Sequence, residues 1–130
     1  ERKIDMKVIS TEKAPAAIGP YSQGIVAGDF FFASGQIAII PETGEIAEAT
    51  IEAQTEQVMK NIGNLLAAAG VDYSKVVKTS CFLADMGDFG AFNEIYAKYF
   101  TSKPASSAVA VKTLPKNVLC EVEVIAYLGE

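Results

Sequence analysis

Two stretches of this chain repeat at the helical period, and nearly everything else that is apolar has the composition of strands. That ratio limits the fold more than any single motif does. From Thr50 to Gly70 the sequence reads TIEAQTEQVMKNIGNLLAAAG. Ile51, Val58, Met59, Ile62, Leu65, Leu66 and Ala69 fall on one stripe, with Glu52, Glu56, Lys60 and Asn64 off it. Thr50 is placed to cap the start and Gly70 to close the end. A second helix follows Asp88, its candidate cap. Phe89, Phe92, Ile95, Tyr96, Tyr99 and Phe100 form its apolar face, and Pro104 follows its end.

The strand-like runs are MKVIS (6–10), a hairpin GIVAGDFFFASGQIAII (24–40) turned at Gly28–Asp29, and KVVKTSCFLA (75–84). Two last runs, 106–113 and 118–127, read as a hairpin across LPKN. KAPAAIGPYSQ (13–23) is a Pro/Gly/Ala loop, and PETGE (41–45) is a turn. The order β-ββ-α-β-α-ββ predicts an α+β domain over residues 6–130, with residues 1–5 as a tail. Two amphipathic helices can cover one face of a six-stranded sheet. FFFASGQIAII and VLCEVEVIA are apolar on both faces, so other subunits are expected to cover the second face of a homo-oligomer.

Composition narrows the chemistry. The chain has no histidine, and Arg2 is its only arginine. This excludes His-based nucleophile pairs and leaves acid–base work to Asp, Glu, Lys, Tyr, Cys or bound water. A net charge of −5 suits nucleic acid poorly. Cys81 and Cys120 each sit in an apolar run, match no metal spacing and read as buried free thiols of a reducing compartment. No run reaches the roughly 18 apolar residues of a membrane span, and no signal peptide is visible. The expected location is the cytoplasm, with no membrane or nucleic-acid partner.

Taken in order, APAAIGPYSQG (14–24), FASGQI (32–37), TGEI (43–46), VVKTSCFLADMGDF (76–89), FNEIYAKYF (92–100) and LPKNVLCEVEVIA (114–126) strongly resemble the reactive intermediate deaminase (RidA/YjgF) family. The resemblance implies a chorismate-mutase-like fold, a six-stranded mixed sheet with two helices on one face, and a homotrimer with small-metabolite clefts between subunits. It also implies cofactor-free hydrolysis of 2-iminopropanoate and 2-iminobutanoate to 2-keto acids and ammonia. Carried over by position, Tyr21 and Glu121 are the catalytic candidates, and Gly35 and Asn93 are ligand-binding candidates. Glu123 shares a strand face with Glu121, Leu119, Ile125 and Tyr127, where a carboxylate is costly unless paired, and it competes as the site acid.

One position departs from the family pattern. Relatives read Pro-Ala-Arg-Ser-Cys-Val after the second helix, and that arginine grips the substrate carboxylate. Here the run is Pro104-Ala105-Ser106-Ser107-Ala108-Val109, and no core arginine can substitute. Ser106 and Ser107 become candidate neutral donors. Lys112 shares the strand parity of Ser106 but lies about 20 Å away at strand rise. Lys103 is nearer and reads as a solvated loop charge. Two functions fit: a deaminase impaired by the missing arginine, or a regulatory homotrimer that binds a small metabolite without catalysis. RNA cleavage and chorismate rearrangement both fit an arginine-free core poorly.

Overall fold

The 50–70 stripe forms a helix because burial and both ends agree. In the computed structural model, which describes residues 6–130, α1 spans Ile51–Ala68. The 1–5 tail and Arg2 lie outside the described residues. Thr50 Oγ1 accepts the Ala53 N–H at 3.1 Å, and Gly70 ends the helix at φ +87°. Val58, Met59, Ile62, Leu65 and Leu66 are fully buried.

The buried stripe is wider than its apolar residues. Gln54, Thr55 and Asn61 are buried as well. Asn61 Nδ2 donates to the carbonyls of Ile37 (3.1 Å) and Ile39 (2.9 Å) and ties an irregular segment to the helix. Gln54 Nε2 donates to Ala47 O, and its Oε1 accepts the Leu119 N–H at 2.8 Å. Asn61→Ala leaves two carbonyls without that donor, so we expect a loss of about 2–4 kcal/mol in urea unfolding. A loss below about 0.5 kcal/mol would mean that water replaces the amide at no cost.

The strands are β1 (Met6–Ile9), β2 (Gly24–Ala27), β3 (Phe30–Ala33), β4 (Val76–Leu83), β5 (Ala105–Ala110) and β6 (Cys120–Tyr127); α2 spans Phe89–Tyr99. They form one mixed sheet in the order β1-β2-β3-β6-β4-β5. The Gly28–Asp29 turn is as expected: Ala27 pairs with Phe30, and Gly28 holds φ +60°. Thr79, Cys81 and Leu83 of β4, and Cys120, Val122, Val124 and Ala126 of β6, are buried in the core they share with both helices.

Three expectations are corrected. β5 and β6 are not a hairpin. β5 pairs parallel to β4 through the α2 crossover, and β6 pairs antiparallel to β4 on its other side and to β3. The LPKN segment forms a short 3₁₀ turn with Lys116 and Asn117 both at φ 55°. The second run of the 24–40 hairpin ends at Ala33. Residues 34–40 leave the sheet except for a bridge from Gln36 to Val122, and Ile39 instead bridges to Ile46 in the following loop. Asp88 stands at the start of α2 but makes no capping bond; Asp85 caps the turn before it, accepting the Gly87 N–H at 2.8 Å.

On the sheet face away from the helices, the part formed by β1, β2, β3 and the end of β6 is apolar, while Ser107, Ser80 and Glu123 form a polar row across β5, β4 and β6. Register aligns Met6, Ala27, Phe30 and Tyr127 in one row, and Val8, Ile25, Phe32 and Ile125 in the next. Val8 is 60% exposed and Phe32 44%. Apolar rows of this extent on a sheet are the kind of surface that associates.

Candidate active site

The predicted site residues fall into two cavities rather than one. The first, about 640 Å³, lies between the 15–23 loop, the 34–39 segment and β6, and is lined by Tyr21, Gly35, Gln36, Lys116, Glu121 and Glu123 among others. The second, about 490 Å³, lies between α2 and β5 and is lined by Asn93, Tyr96, Lys103 and Ser106 among others. Ser107 lines neither; it is exposed and pairs with Ser80 of β4.

Local folding explains the first cavity. Gln23 is buried and holds the loop that carries Tyr21. Its Nε2 donates to the carbonyls of Thr11, Ala14 and Pro15, and its Oε1 accepts the Thr11 N–H at 2.7 Å. Ser34 Oγ donates to Ser22 O at 2.6 Å and pins the opposite wall. Tyr21 itself is 52% exposed. At Gly35 the Glu121 side chain packs directly on the backbone. A Cβ there would collide with Oε2 and stand 3.0 Å from Cδ. Glycine at 35 therefore lets the carboxyl rest on the backbone, and a side chain there would displace it.

The floor of this cavity is rich in acceptors. Gln36 is 5% exposed and spends its amide N–H groups on Ser34 O and Gly35 O, which leaves its Oε1 buried without a partner. Burial, and secondarily the charge of Glu123, hold the Glu121 carboxyl above the ordinary carboxylate range. Glu123 is more exposed. Of the two acids, only Glu121 combines partial burial with a fitted seat.

The second cavity offers donors instead. Thr79 Oγ1 bonds both Tyr96 Oη and Ser106 Oγ at 2.7 Å, and Cys81 Sγ stands 3.9 Å from Ser106 Oγ. Since Thr79 is fully buried, this contact sets Ser106 on the helix side of the sheet, whereas Glu121 projects from the other side. Burial pushes the Cys81 thiol up and the Cys120 thiol to about 11, so neither is a ready nucleophile. Sequence reading missed Gln36, Thr79 and Tyr96 as site residues. The first two have no charge to announce them, and Tyr96 was counted only as part of an apolar face.

Ser106 and Glu121 do not meet within one chain. Ser106 is in register with Thr79 and Glu121 with Phe82, on strands either side of β4. Two interstrand steps and three residues of rise set their Cα atoms about 14 Å apart. Their side chains also leave opposite faces. A metabolite of a few carbons cannot span that distance through a sheet.

Residues 11–128 match the family described as Endoribonuclease L-PSP. The chain is 54% identical to the chloroplastic Reactive Intermediate Deaminase A of Arabidopsis thaliana over 96% of its length and 67% of that protein. It is 48% identical to the 2-iminobutanoate/2-iminopropanoate deaminase of Mus musculus, covering 97% of this chain and 94% of the other. A crystal structure of E. coli TdcF with bound serine superposes at a TM-score of 0.89, with 40% identity over 93% of this chain and 98% of that one. No helix among the described residues is long and apolar enough to cross a membrane.

Proposed function

Because the chain belongs to the reactive intermediate deaminase (RidA/YjgF/RutC, Endoribonuclease L-PSP) family, we propose that it hydrolyses small 2-imino acids such as 2-iminopropanoate, in a site that a second copy of the chain completes. The observation that carries this reading is the Glu121 carboxyl, seated on Gly35 beside the orphan Gln36 Oε1, with its pKa raised by burial.

The reaction needs water added to the imine carbon and a proton delivered to the departing nitrogen. An acceptor-rich floor suits an N–H-bearing group: Gln36 Oε1 can accept one N–H, and protonated Glu121 can donate to the nitrogen. The resulting carboxylate takes a proton from the adding water to give the carbinolamine, returns it to the amino nitrogen, and takes the hydroxyl proton as the C–N bond breaks, leaving the 2-keto acid and ammonia. Tyr21 closes the rim once its exposed ring is covered. The carboxylate end of the substrate needs donors, which the Ser106 cavity supplies. The two cavities of one chain lie on opposite faces of its sheet, so the acceptor half of one copy has to meet the donor half of another. The apolar part of the outer face gives copies a reason to associate, and a homotrimer with clefts between subunits is the assembly we propose. The serine bound to TdcF supports a small carboxylate-bearing ligand.

The test is decay of 2-iminopropanoate generated in situ, which the wild-type chain should accelerate. Ser106→Arg should lower KM by about tenfold or more, because a charge-assisted bond replaces a neutral one. An inert wild type that still binds pyruvate would instead support a metabolite-binding regulatory protein.

A further inference from the structure

The hydrogen-bond directions around Ser106 show what its cavity is built to hold. Thr79 Oγ1 donates to Ser106 Oγ at 2.7 Å. Its single proton is thereby used, so the 2.7 Å contact with Tyr96 Oη runs the other way, from the tyrosine to Thr79. The chain Tyr96 to Thr79 to Ser106 is thus a one-way relay that leaves the Ser106 hydroxyl proton for an outside acceptor. The nearby alternative is Cys81 Sγ at 3.9 Å, a weak acceptor that a ligand oxygen would displace. Each hydroxyl in such a chain polarises the next and strengthens the terminal donor. Among the described residues, Lys103 is the only charged side chain lining the cavity, and no carboxylate lines it.

From this geometry we infer that Lys103 and the Tyr96–Thr79–Ser106 relay together form a carboxylate-binding arm, doing with an ammonium and a polarised hydroxyl what a guanidinium would otherwise do. The inference rests on the reading of this cavity as the carboxylate half of the proposed site. It assigns ligand contact to Ser106 and Lys103, and makes Thr79 and Tyr96 positioning residues that act through Ser106. The ligand class is a small monocarboxylate with an oxygen or nitrogen at C2.

Calorimetric titration of the purified full chain with pyruvate, and with pyruvamide as the neutral comparator, tests this. Wild type should prefer pyruvate by about tenfold, the scale of one charge-assisted bond. Lys103→Met should abolish that preference. Ser106→Ala and Tyr96→Phe should each weaken pyruvate binding about three- to tenfold, and the double variant should be no weaker than Ser106→Ala alone, since one acts through the other. Equal binding of the two compounds by wild type, a preference that survives Lys103→Met, or additive losses in the double variant would overturn the arm. Iminopropanoate hydrolysis in the same samples separates the two claims. Hydrolysis with an unchanged KM in Lys103→Met sinks the arm alone. Absent hydrolysis with a charge preference that Lys103→Met removes sinks the deaminase reading alone.

Discussion

Glu121→Gln is expected to lower kcat/KM for 2-iminopropanoate hydrolysis by about a hundredfold or more, the scale of a lost general acid. The amide keeps the shape over Gly35 but cannot deliver a proton to nitrogen. The pH profile carries the sharper signature. Burial raises the Glu121 pKa, so the acid form persists above the ordinary carboxylate range and activity falls as pH rises through the folded-state value. Glu121→Gln should erase that alkaline limb. The stability sign follows from linkage: a carboxyl with a raised folded pKa favours the folded state most below its unfolded value and loses that contribution as pH rises. The glutamine variant should therefore be no less stable than wild type at neutral pH. A large loss of stability would make Glu121 a structural residue.

Gly35→Ala is the second large effect. Its Cβ would occupy the place of Glu121 Oε2, so the carboxyl has to swing away. We expect kcat to fall about as far as in Glu121→Gln, on the order of a hundredfold, because the acid remains but is misplaced. The alkaline limb should survive and move to lower pH, since a displaced carboxyl is better solvated. Wild-type activity with an unmoved limb would show that the collision relaxes harmlessly.

Much of the fold was legible because the informative signals were local. Helical period located α1 and α2, Thr50 and Gly70 set the ends of α1, and Gly28–Asp29 fixed a two-residue hairpin. What escaped was non-local. LPKN separates two strands and looks like a hairpin loop, yet nothing in its residues says that β4 lies between those strands. Parallel pairing of β5 with β4 is written in a crossover, not in a turn. The site was legible as a set of residues but not as an arrangement. Alternation along ASSAVA gives two faces, but its small side chains do not say which of them meets the helices. The register with Thr79 decides this, and it divides Ser106 from Glu121. Gln36, Gln54 and Asn61 were hidden for a different reason: their types are normally solvated, and their burial is offset only by bonds formed in the fold, to neighbouring carbonyls for Gln36 and to distant segments for Gln54 and Asn61.

The central claim is that each site draws its donor cavity from one copy and its acceptor cavity from another. Co-assembling Glu121→Gln with Ala97→Trp, which fills the donor cavity, tests it directly. Each variant alone should be nearly inactive. Random mixing in a closed cyclic assembly leaves about a quarter of the interfaces with both halves intact, so about a quarter of wild-type hydrolysis should return. Activity that stays at the level of the separate variants, in assemblies shown by mass to contain both chains, would contradict a site shared between copies.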